Sequence, residues 1–498
     1  MPARMHVMSF WTFENIKSVL AGTWITRPDA AARPFGVSND TRSIKPGQLY
    51  FALRGERLDG NEYVAQAAAA GAPLAVIDRP EKLPPGLPAN FGLIAVKDSG
   101  DALLRLATAY RAYLDGTRVI AVTGSNGKTT TTRLCEALLS RSLRGTASPK
   151  SFNNRVGVPL TILNAKKGDQ FLLCEVGTNA PGEIKELAEV VRPDIAVVTS
   201  IGREHLEGLG SMKGAADEAA ELLKQIRAGG TAVVNADAPE INERLAVLSA
   251  RGGWKVIRFG QASDADLRLT EIEAGAESVR FRLNDRTWYS VPLLGKHNAW
   301  NAAAAVAVAR RAGVPQEMIE EGLARARGAE MRLQRVREGG VEFINDSYNA
   351  NPESMLASLE TFAAVFPRAI AGGRRVAVLG DMLELGEHAE ACHREIGRAL
   401  AGSAAFDVVV LVGKNMRFAA EDYAAAGGAC PVTWVDRGAA DYAAQAAGVL
   451  RSGDAVLLKG SRGTAVDRVI GAWQEMSGRE RAARVVAPTS TESAAAGR

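Results

Sequence analysis

The chain has 498 residues, of which 47% are hydrophobic and 23% charged, so it has the composition of a globular protein and room for about three domains. Its 60 basic and 56 acidic residues leave a net charge of only +4, which does not point to nucleic acid or an anionic membrane as a partner. The four cysteines lack metal-site spacing, and no run of about 18 apolar residues could span a membrane. We therefore expect a cytoplasmic monomer with no nucleic-acid partner and no membrane insertion.

Residues 1–116 are expected to form a small α/β domain, because strand-like runs and helical segments alternate along them. Strands are predicted at 48–53, 74–77 and 93–96, and helices at 10–20 and 61–70. Polar turn residues gather around Asp40 and Arg42. Such a turn can bind a ligand or can simply reverse the chain.

The clearest functional pattern is the run RVIAVTGSNGKTTTT at residues 118–132. It predicts a buried strand at 119–122 and a helix at 128–139. The turn between them consists of Gly124, Ser125, Asn126 and Gly127. Backbone N–H groups of such a turn can cradle phosphate oxygens at the helix N-terminus, while Lys128 reaches the terminal phosphates and Thr129 offers a hydroxyl to Mg²⁺. The usual pattern has a glycine where this chain has Val122, so the loop is a shortened form, and an ordinary glycine turn is the alternative.

Residues 117–325 are expected to form a parallel sheet with helices on its faces. Further strands are predicted at 171–176, 195–200, 231–235 and 254–259, an antiparallel flap at 267–292, and a helix at 299–312. Glu175 and His205 follow two of these strands. Because the carboxyl ends of parallel strands line the ligand crevice, both side chains can hold a metal beside the phosphate loop. Both can also be merely structural.

Residues 326–477 alternate five strands with five helices and predict a doubly wound, Rossmann-like domain. Asn298, just before it, can cap a helix or bind a purine edge. Arg332 can clamp a phosphate or be solvated, and Asp346 can accept a ribose hydroxyl. The charged, then Ala/Ser/Thr-rich segment 478–498 predicts a disordered tail.

The motifs taken together resemble those of the Mur ligases, the ATP-dependent amide-bond-forming enzymes of peptidoglycan synthesis. The similar segments are DTR at 40–42, the loop at 123–130, EVGTN at 175–179, HLE at 205–207, KHN at 296–298, MR at 331–332, DSYNANP at 346–352 and KGSR at 459–462. The resemblance implies three domains: a UDP-binding first domain, a central ATPase and a third domain that receives the incoming amine.

The resemblance also implies the role of individual residues. ATP is expected to contact Gly124, Ser125, Asn126, Gly127, Lys128, Thr129, Thr130, Asn298, Arg332 and Asp346. Mg²⁺ is expected at Thr129, Glu175 and His205, and the catalytic residues are expected to be Lys128, Glu175 and His205. Substrate is expected at Asp40, Arg42, Asn153, Asn154, Tyr348 and Asn349.

Within the family, three segments are similar to those of the members that add D-alanyl-D-alanine to UDP-N-acetylmuramoyl-tripeptide through an acyl phosphate. These are FNN at 152–154 followed by GVPLT at 157–161, the linker motif at 346–352, and LGDMLELG at 379–386. The Asp-Asn-Pro-Arg signature of the diaminopimelate- and lysine-adding relatives is missing. The alternatives are another amino-acid-adding ligase, a folylpolyglutamate synthetase, or a nucleotide-switch ATPase whose outer domains hold a partner protein.

One position departs from the family pattern. Many members have a carbamylated lysine two residues before the acid at Glu221, and its carbamate helps to hold a second Mg²⁺; this chain has Ala219 there. We expect water or a carboxylate of Asp217, Glu218 or Glu221 to supply the missing ligand.

Overall fold

The protein, in a computed structural model, consists of three sheets that follow one another along the chain, each with its own helices. The structure describes residues 9–284, 286–368 and 372–486. The α/β class and the organisation in three domains, both predicted from the sequence, are confirmed. Within the described residues, no helix combines the length and the apolar character needed to cross a bilayer.

The first sheet has five strands, of which one edge strand is antiparallel to its neighbour. The strands are β1 (Thr23–Thr26), β2 (Val37–Ser38), β3 (Leu49–Phe51), β4 (Leu74–Ile77) and β5 (Gly92–Ala95), and the helices are α1 (Phe13–Leu20), α2 (Val64–Ala69) and α3 (Ser99–Tyr113). The order is β1-β5-β4-β3-β2. We did not predict α3, although Asp98 caps it by accepting a hydrogen bond from the Asp101 N–H at 2.8 Å and apolar residues recur at helical spacing.

The central sheet has nine strands in the order β14-β13-β12-β11-β10-β9-β6-β8-β7. The strands are β6 (Arg118–Thr123), β7 (Gly145–Ala147), β8 (Phe171–Glu175), β9 (Ile195–Val198), β10 (Thr231–Asn235), β11 (Lys255–Gly260), β12 (Leu267–Ala274), β13 (Val279–Leu283) and β14 (Trp288–Val291). The pairs β12–β13 and β13–β14 are antiparallel, which confirms the predicted flap, and the strands from β12 to β7 are parallel.

Eight helices accompany this sheet within the described residues. They are α4 (Lys128–Leu139), α5 (Gly157–Leu163), α6 (Glu183–Val191), α7 (Leu206–Leu209), α8 (Met212–Lys224), α9 (Pro239–Gly252), α10 (Asn298–Ala312) and α11 (Gln316–Ala324). Strand β6 lies between β9 and β8, so the chain order reverses beside it. Such a reversal leaves a crevice at the carboxyl end of the strand. The phosphate loop follows β6 and therefore lies at this crevice.

The third sheet has the order β15-β16-β20-β17-β18-β19, with β15 antiparallel and the other strands parallel. Its strands are β15 (Gln334–Glu338), β16 (Val341–Asp346), β17 (Arg375–Gly380), β18 (Val408–Val412), β19 (Val432–Val435) and β20 (Ala455–Lys459), and its helices are α12 (Pro352–Val365), α13 (Ala389–Ala401), α14 (Met416–Ala425), α15 (Tyr442–Ala447) and α16 (Arg468–Val486). Short 3₁₀ turns occur at Gly60–Tyr63, Pro80–Lys82, Gly386–His388 and Arg462–Thr464.

The last helix differs from its prediction at both ends. We expected it at 464–473, but α16 begins at Arg468 after a 3₁₀ turn and continues to Val486. The first part of the segment 478–498, expected to be disordered, is therefore helical up to Val486. The rest of that expected tail lies outside the described residues.

Candidate active site

The phosphate loop is held in shape by the strand beside it. Gly124 and Gly127 have φ of 125° and 87°, and a Cβ on Gly127 would lie 2.2 Å from the Asn301 side-chain oxygen. These two positions therefore require glycine. The backbone N–H of Ser125 donates to the Ser200 carbonyl at 2.8 Å, and that of Asn126 donates to the Ser200 hydroxyl at 2.8 Å. The loop at the N-terminus of α4 is therefore already in its folded shape before nucleotide binds.

The ammonium of Lys128 folds back onto its own loop. It donates to the carbonyl oxygens of Gly124 at 2.6 Å and Ser125 at 3.3 Å, and it lies 3.2 Å from a carboxylate oxygen of Glu204. An ammonium has three N–H donors, so this set uses all of them. Lys128 can bind a phosphate only by giving up one of these partners.

Glu175, the last residue of β8, has the features of a metal ligand. Glu175 is only 1% exposed, and its Oε1 accepts hydrogen bonds from the Thr129 hydroxyl at 3.1 Å and the Asn153 amide at 2.8 Å. Its Oε2 is buried and has no hydrogen-bond partner among the described residues. Burial raises the pKa of this carboxyl, whereas the positive charges of Lys128 and Arg332 lower it. An unpartnered carboxylate oxygen beside a threonine hydroxyl fits the oxygen ligands of Mg²⁺.

His205 lies beside the loop and against the third domain. It has a φ of 48°, and its Nδ1 contacts the carboxylate of Glu384. The Glu207 N–H donates to the Glu384 carbonyl at 3.0 Å, so the segment 382–386 of the third domain rests on the start of α7. His205 and Glu175 line the same cavity with Lys128, and this cavity has a volume of about 290 Å³.

Arg332 and Asp346 reach the cleft from the third domain. The Arg332 guanidinium lies 4.3 Å from the centre of the Tyr348 ring and donates to the Thr129 hydroxyl at 3.4 Å. Asp346 accepts hydrogen bonds from the Ser358 hydroxyl at 2.6 Å and the Leu333 N–H at 3.1 Å, and it pairs with Lys459 at 2.7 Å. Asp346 is therefore well bonded before any ribose arrives.

A second cavity of about 570 Å³ lies between α10 and the third domain. It is lined by Asn126, Gly127, Thr130, Asn298, Trp300, Asn301, Arg332, Asp346 and Lys459, among others. Asn298 is the first residue of α10 but makes no capping bond; its amide donates to the Leu294 carbonyl at 2.6 Å and accepts from Asn301 at 2.8 Å. The capping interpretation of Asn298 is wrong. Its place in a nucleotide-sized cavity next to the phosphate loop suits a base or ribose.

The six residues expected to bind substrate lie in two regions. Asn153, Asn154, Tyr348 and Asn349 line the cavity that contains Glu175 and His205. The Asn154 side chain also accepts from the Gly157 N–H at 2.9 Å and so supports the start of α5. Asp40 and Arg42 line neither cavity; they bind each other through two hydrogen bonds of 2.9 and 2.7 Å on the first domain. The Arg42 guanidinium holds the pKa of Asp40 down to about 2.

The sequence alone did not single out several residues of the cleft. Glu204, Asn301, Trp300 and Lys459 all line one of the cavities. Lys459 is 2% exposed and donates to the Asn349 carbonyl at 2.9 Å, and burial lowers its pKa. A buried lysine at the end of β20 belongs to the KGSR segment, which offered a signal for it.

The three carboxylates proposed to replace a carbamate are bonded elsewhere. Asp217 pairs with Arg244 at 2.7 Å, Glu218 accepts the Gly182 and Ile184 N–H groups at 2.9 and 2.6 Å, and Glu221 pairs with Lys224. None of them lines the cavity that holds Glu175 and His205. Asp217, Glu218 and Glu221 therefore lie outside the cavity of the predicted metal ligands, and each has a partner on α6, α8 or α9.

Comparison with known proteins agrees with this geometry. The sequence matches the family descriptions "Mur ligase family, catalytic domain" over residues 35–111, "Mur ligase middle domain" over 122–309 and "Mur ligase, glutamate ligase domain" over 331–462. It is 35% identical to the UDP-N-acetylmuramoyl-tripeptide–D-alanyl-D-alanine ligase of Bacillus subtilis over 82% of this chain and 87% of that protein. It is 35% identical to the enzyme of the same name from Escherichia coli over 76% of this chain and 81% of that protein.

Solved structures show the same relationship. A crystal structure of MurF from Acinetobacter baumannii is 30% identical and has a TM-score of 0.79, covering 93% of this chain and 99% of that one. MurF ligase from Thermotoga maritima in complex with ADP is 25% identical and has a TM-score of 0.72, covering 90% of this chain and 98% of that one. The three matched regions, the similar relatives and the cleft between the second and third domains together identify this chain as a member of the Mur ligase family.

Proposed function

We propose that the protein is an ATP-dependent ligase that joins D-alanyl-D-alanine to UDP-N-acetylmuramoyl-tripeptide, giving the UDP-linked pentapeptide precursor of peptidoglycan. The observation that carries this proposal is a single cavity that is lined by residues of two domains. Lys128, Glu175 and His205 belong to the central domain, and Arg332 and Lys459 belong to the third domain. The similar relatives named above bear this activity in their names, and one similar structure holds ADP.

The first step activates the tripeptide. A carboxylate oxygen of the tripeptide attacks the γ-phosphorus of ATP, and the bond to the β–γ bridging oxygen breaks, which leaves ADP and an acyl phosphate. We assign the grip on the triphosphate to Lys128 and to the backbone N–H groups at the N-terminus of α4, because the N–H groups of Ser125 and Asn126 are already bonded to Ser200. Mg²⁺, held by Thr129, Glu175 and His205, would neutralise charge on the phosphate oxygens.

The second step forms the amide. The amine of D-alanyl-D-alanine attacks the acyl carbon, and collapse of the tetrahedral intermediate releases inorganic phosphate and a proton. We assign Tyr348 and Asn349 to the incoming dipeptide and Asn153 and Asn154 to the tripeptide, because all four line the cavity that holds Glu175. Because no side chain needs to form a covalent bond, positioning supplies most of the catalysis.

The remaining assignments concern the ends of the substrates. We assign Asn298, Thr130 and Asp346 to the adenosine part of ATP, since they line the larger cavity beside the loop. We assign Asp40 and Arg42 to the UDP end of the long nucleotide-linked substrate, away from the reacting carboxylate. We also propose a cytoplasmic location, because the reaction draws on ATP, and a monomer, because the central and third domains of one chain line both cavities of the cleft.

The test is the dependence of phosphate release on the two peptide substrates. A ligase releases phosphate only when UDP-N-acetylmuramoyl-tripeptide and D-alanyl-D-alanine are both present, and product mass rises by one dipeptide less one water. A nucleotide-switch ATPase would instead release phosphate without either peptide. A rate of phosphate release that is the same with and without D-alanyl-D-alanine would overturn the proposed function.

A further inference from the structure

Glu204 is a buried carboxylate that has no part in the mechanism described so far. It lies in the loop after β9, where 8% of the residue is exposed. Its Oε2 is 3.2 Å from the Lys128 ammonium and 3.8 Å from Nε2 of His205. A buried carboxylate is costly without a positive partner, and here that partner is Lys128.

Nucleotide binding must disturb the contacts of Lys128. The ammonium of Lys128 donates its three N–H groups to Gly124, Ser125 and Glu204. It can therefore bind a phosphate oxygen only if one of these three acceptors is released. Exchange of Glu204 leaves a buried carboxylate close to an incoming polyanion, and two like charges repel strongly where water is scarce. A cation between them removes that repulsion.

Glu204 lines the cavity that contains Glu175 and His205. A small void beside the loop is lined by Lys128, Glu204 and the methyl group of Ala219, the position at which many relatives have their carbamylated lysine. The carboxylates of α8 are bonded elsewhere, as described above, and do not line this void. Glu384 also contacts His205, but it belongs to the third domain and does not line this void, whereas Glu204 lines the void and lies next to His205.

We propose that Glu204 exchanges partners during the reaction: it pairs with Lys128 in the nucleotide-free protein, and it becomes a ligand of a second divalent cation, on the His205 side of the loop, when Lys128 turns to the phosphates. Glu204 thereby takes the place of the carbamate that Ala219 cannot provide. This inference rests on the proposed function only in requiring that MgATP binds at the phosphate loop.

The experiment measures cation binding directly. Mn²⁺ bound to the protein with a non-hydrolysable ATP analogue is counted by electron paramagnetic resonance in the wild type, Glu204→Gln and Glu221→Gln. Glu221→Gln is the matched control, because it removes the same charge from α8, where Glu221 pairs with Lys224. We expect two Mn²⁺ in the wild type and the control. In Glu204→Gln we expect the second ion to bind at least about tenfold more weakly, the cost typical of disturbing a metal site.

A second readout separates this role from a structural one. Without any divalent cation, Glu204→Gln should bind ADP more tightly than the wild type, by about threefold, since Lys128 is released and one repelling charge is gone. With Mg²⁺ the order should reverse. If Glu204 were merely structural, Glu204→Gln would bind ADP more weakly than the wild type both with and without Mg²⁺. Should Glu204→Gln fail to fold, Glu204→Asp keeps the charge on a shorter side chain and should retain the second Mn²⁺ at reduced affinity.

The outcomes are distinct from those that test the ligase activity. A wild type that ligates but binds a single Mn²⁺, or a Glu204→Gln variant that keeps both ions at full affinity, overturns the role of Glu204 and leaves the function intact. If the protein binds two Mn²⁺, one of them through Glu204, but joins no peptides, the proposed role of Glu204 stands and the proposed ligase function is overturned. If the protein binds no Mn²⁺ together with the ATP analogue, both proposals are overturned.

Discussion

Replacing Arg203 by alanine should loosen the docking of the third domain on the central one. Arg203 belongs to the central domain, and its guanidinium binds Glu353 of α12 at 2.6 Å and Glu395 of α13 at 2.6 and 3.1 Å. Its backbone N–H also donates to Glu353 at 3.1 Å. Both ion pairs cross the boundary between the domains, so their loss acts on docking.

The size of the effect follows from the exposure of these groups. The three side chains are 30%, 37% and 34% exposed, so water screens the charges, and each such pair contributes up to about 1 kcal/mol. Two pairs on one guanidinium give about 1–2 kcal/mol, which changes the ratio of docked to undocked molecules by about 5- to 30-fold.

Small-angle scattering without nucleotide measures this ratio. At low salt the wild type should be compact, and it should expand as salt rises, because the screening length falls from about 30 Å at 0.01 M to about 3 Å at 1 M. Arg203→Ala should be expanded at both salt concentrations. The control is Arg244→Ala, which removes the same charge from a pair with Asp217 inside the central domain and should leave the profile unchanged. Superposable low-salt profiles of Arg203→Ala and the wild type would refute this reasoning.

Three further predictions concern the phosphate loop and the first domain. Lys128→Ala should lower the rate of ligation by at least about 100-fold, as loss of a preorganised charge does, and should also lower the melting temperature, because buried Glu204 loses its positive partner; near-normal turnover of the folded variant would remove Lys128 from the active site. Gly127→Ala should weaken ATP binding in calorimetry, because φ is 87° and the new methyl group meets Asn301 at 2.2 Å; unchanged affinity would show that the loop adapts. Arg42→Ala should raise KM for the UDP-linked substrate by about tenfold, the loss of one charge-assisted contact, and leave KM for ATP unchanged; the reverse pattern in steady-state kinetics would place Arg42 at the nucleotide triphosphate instead.

The elements that the sequence predicted well are those specified by local pattern. The apolar run before the phosphate loop, the helix at Lys128–Leu139 and the strand at Thr231–Asn235 have the predicted bounds or nearly so. A strand that is buried on both faces consists of apolar residues throughout, and glycine with positive φ marks the turn that follows. The helix Ser99–Tyr113 escaped notice although its cap and apolar spacing were present in the sequence.

The position of the carboxylates depended on contacts between distant segments. Asp217, Glu218 and Glu221 were candidate ligands because they are close to Ala219 in sequence. Asp217 and Glu218 bind partners that only the folded chain brings near, whereas Glu221 pairs with Lys224 on the same helix. Glu204 was overlooked beside His205, since nothing local distinguishes it from a solvated acid. Its burial and its contact with Lys128, 76 residues earlier, arise from the pairing of β6 with β9.

The sequence by itself determined the class of fold, the phosphate loop and the family resemblance, because strand burial, glycine turns and helix starts are encoded within a few consecutive residues. Only the tertiary structure decided which charged groups face one another across the cleft. Lys128 with Glu204, Arg203 with Glu353 and Glu395, and Arg332 with Thr129 are contacts formed by strand order and domain docking. A charge acquires its partner, and hence its chemical role, from neighbours that are distant in the chain.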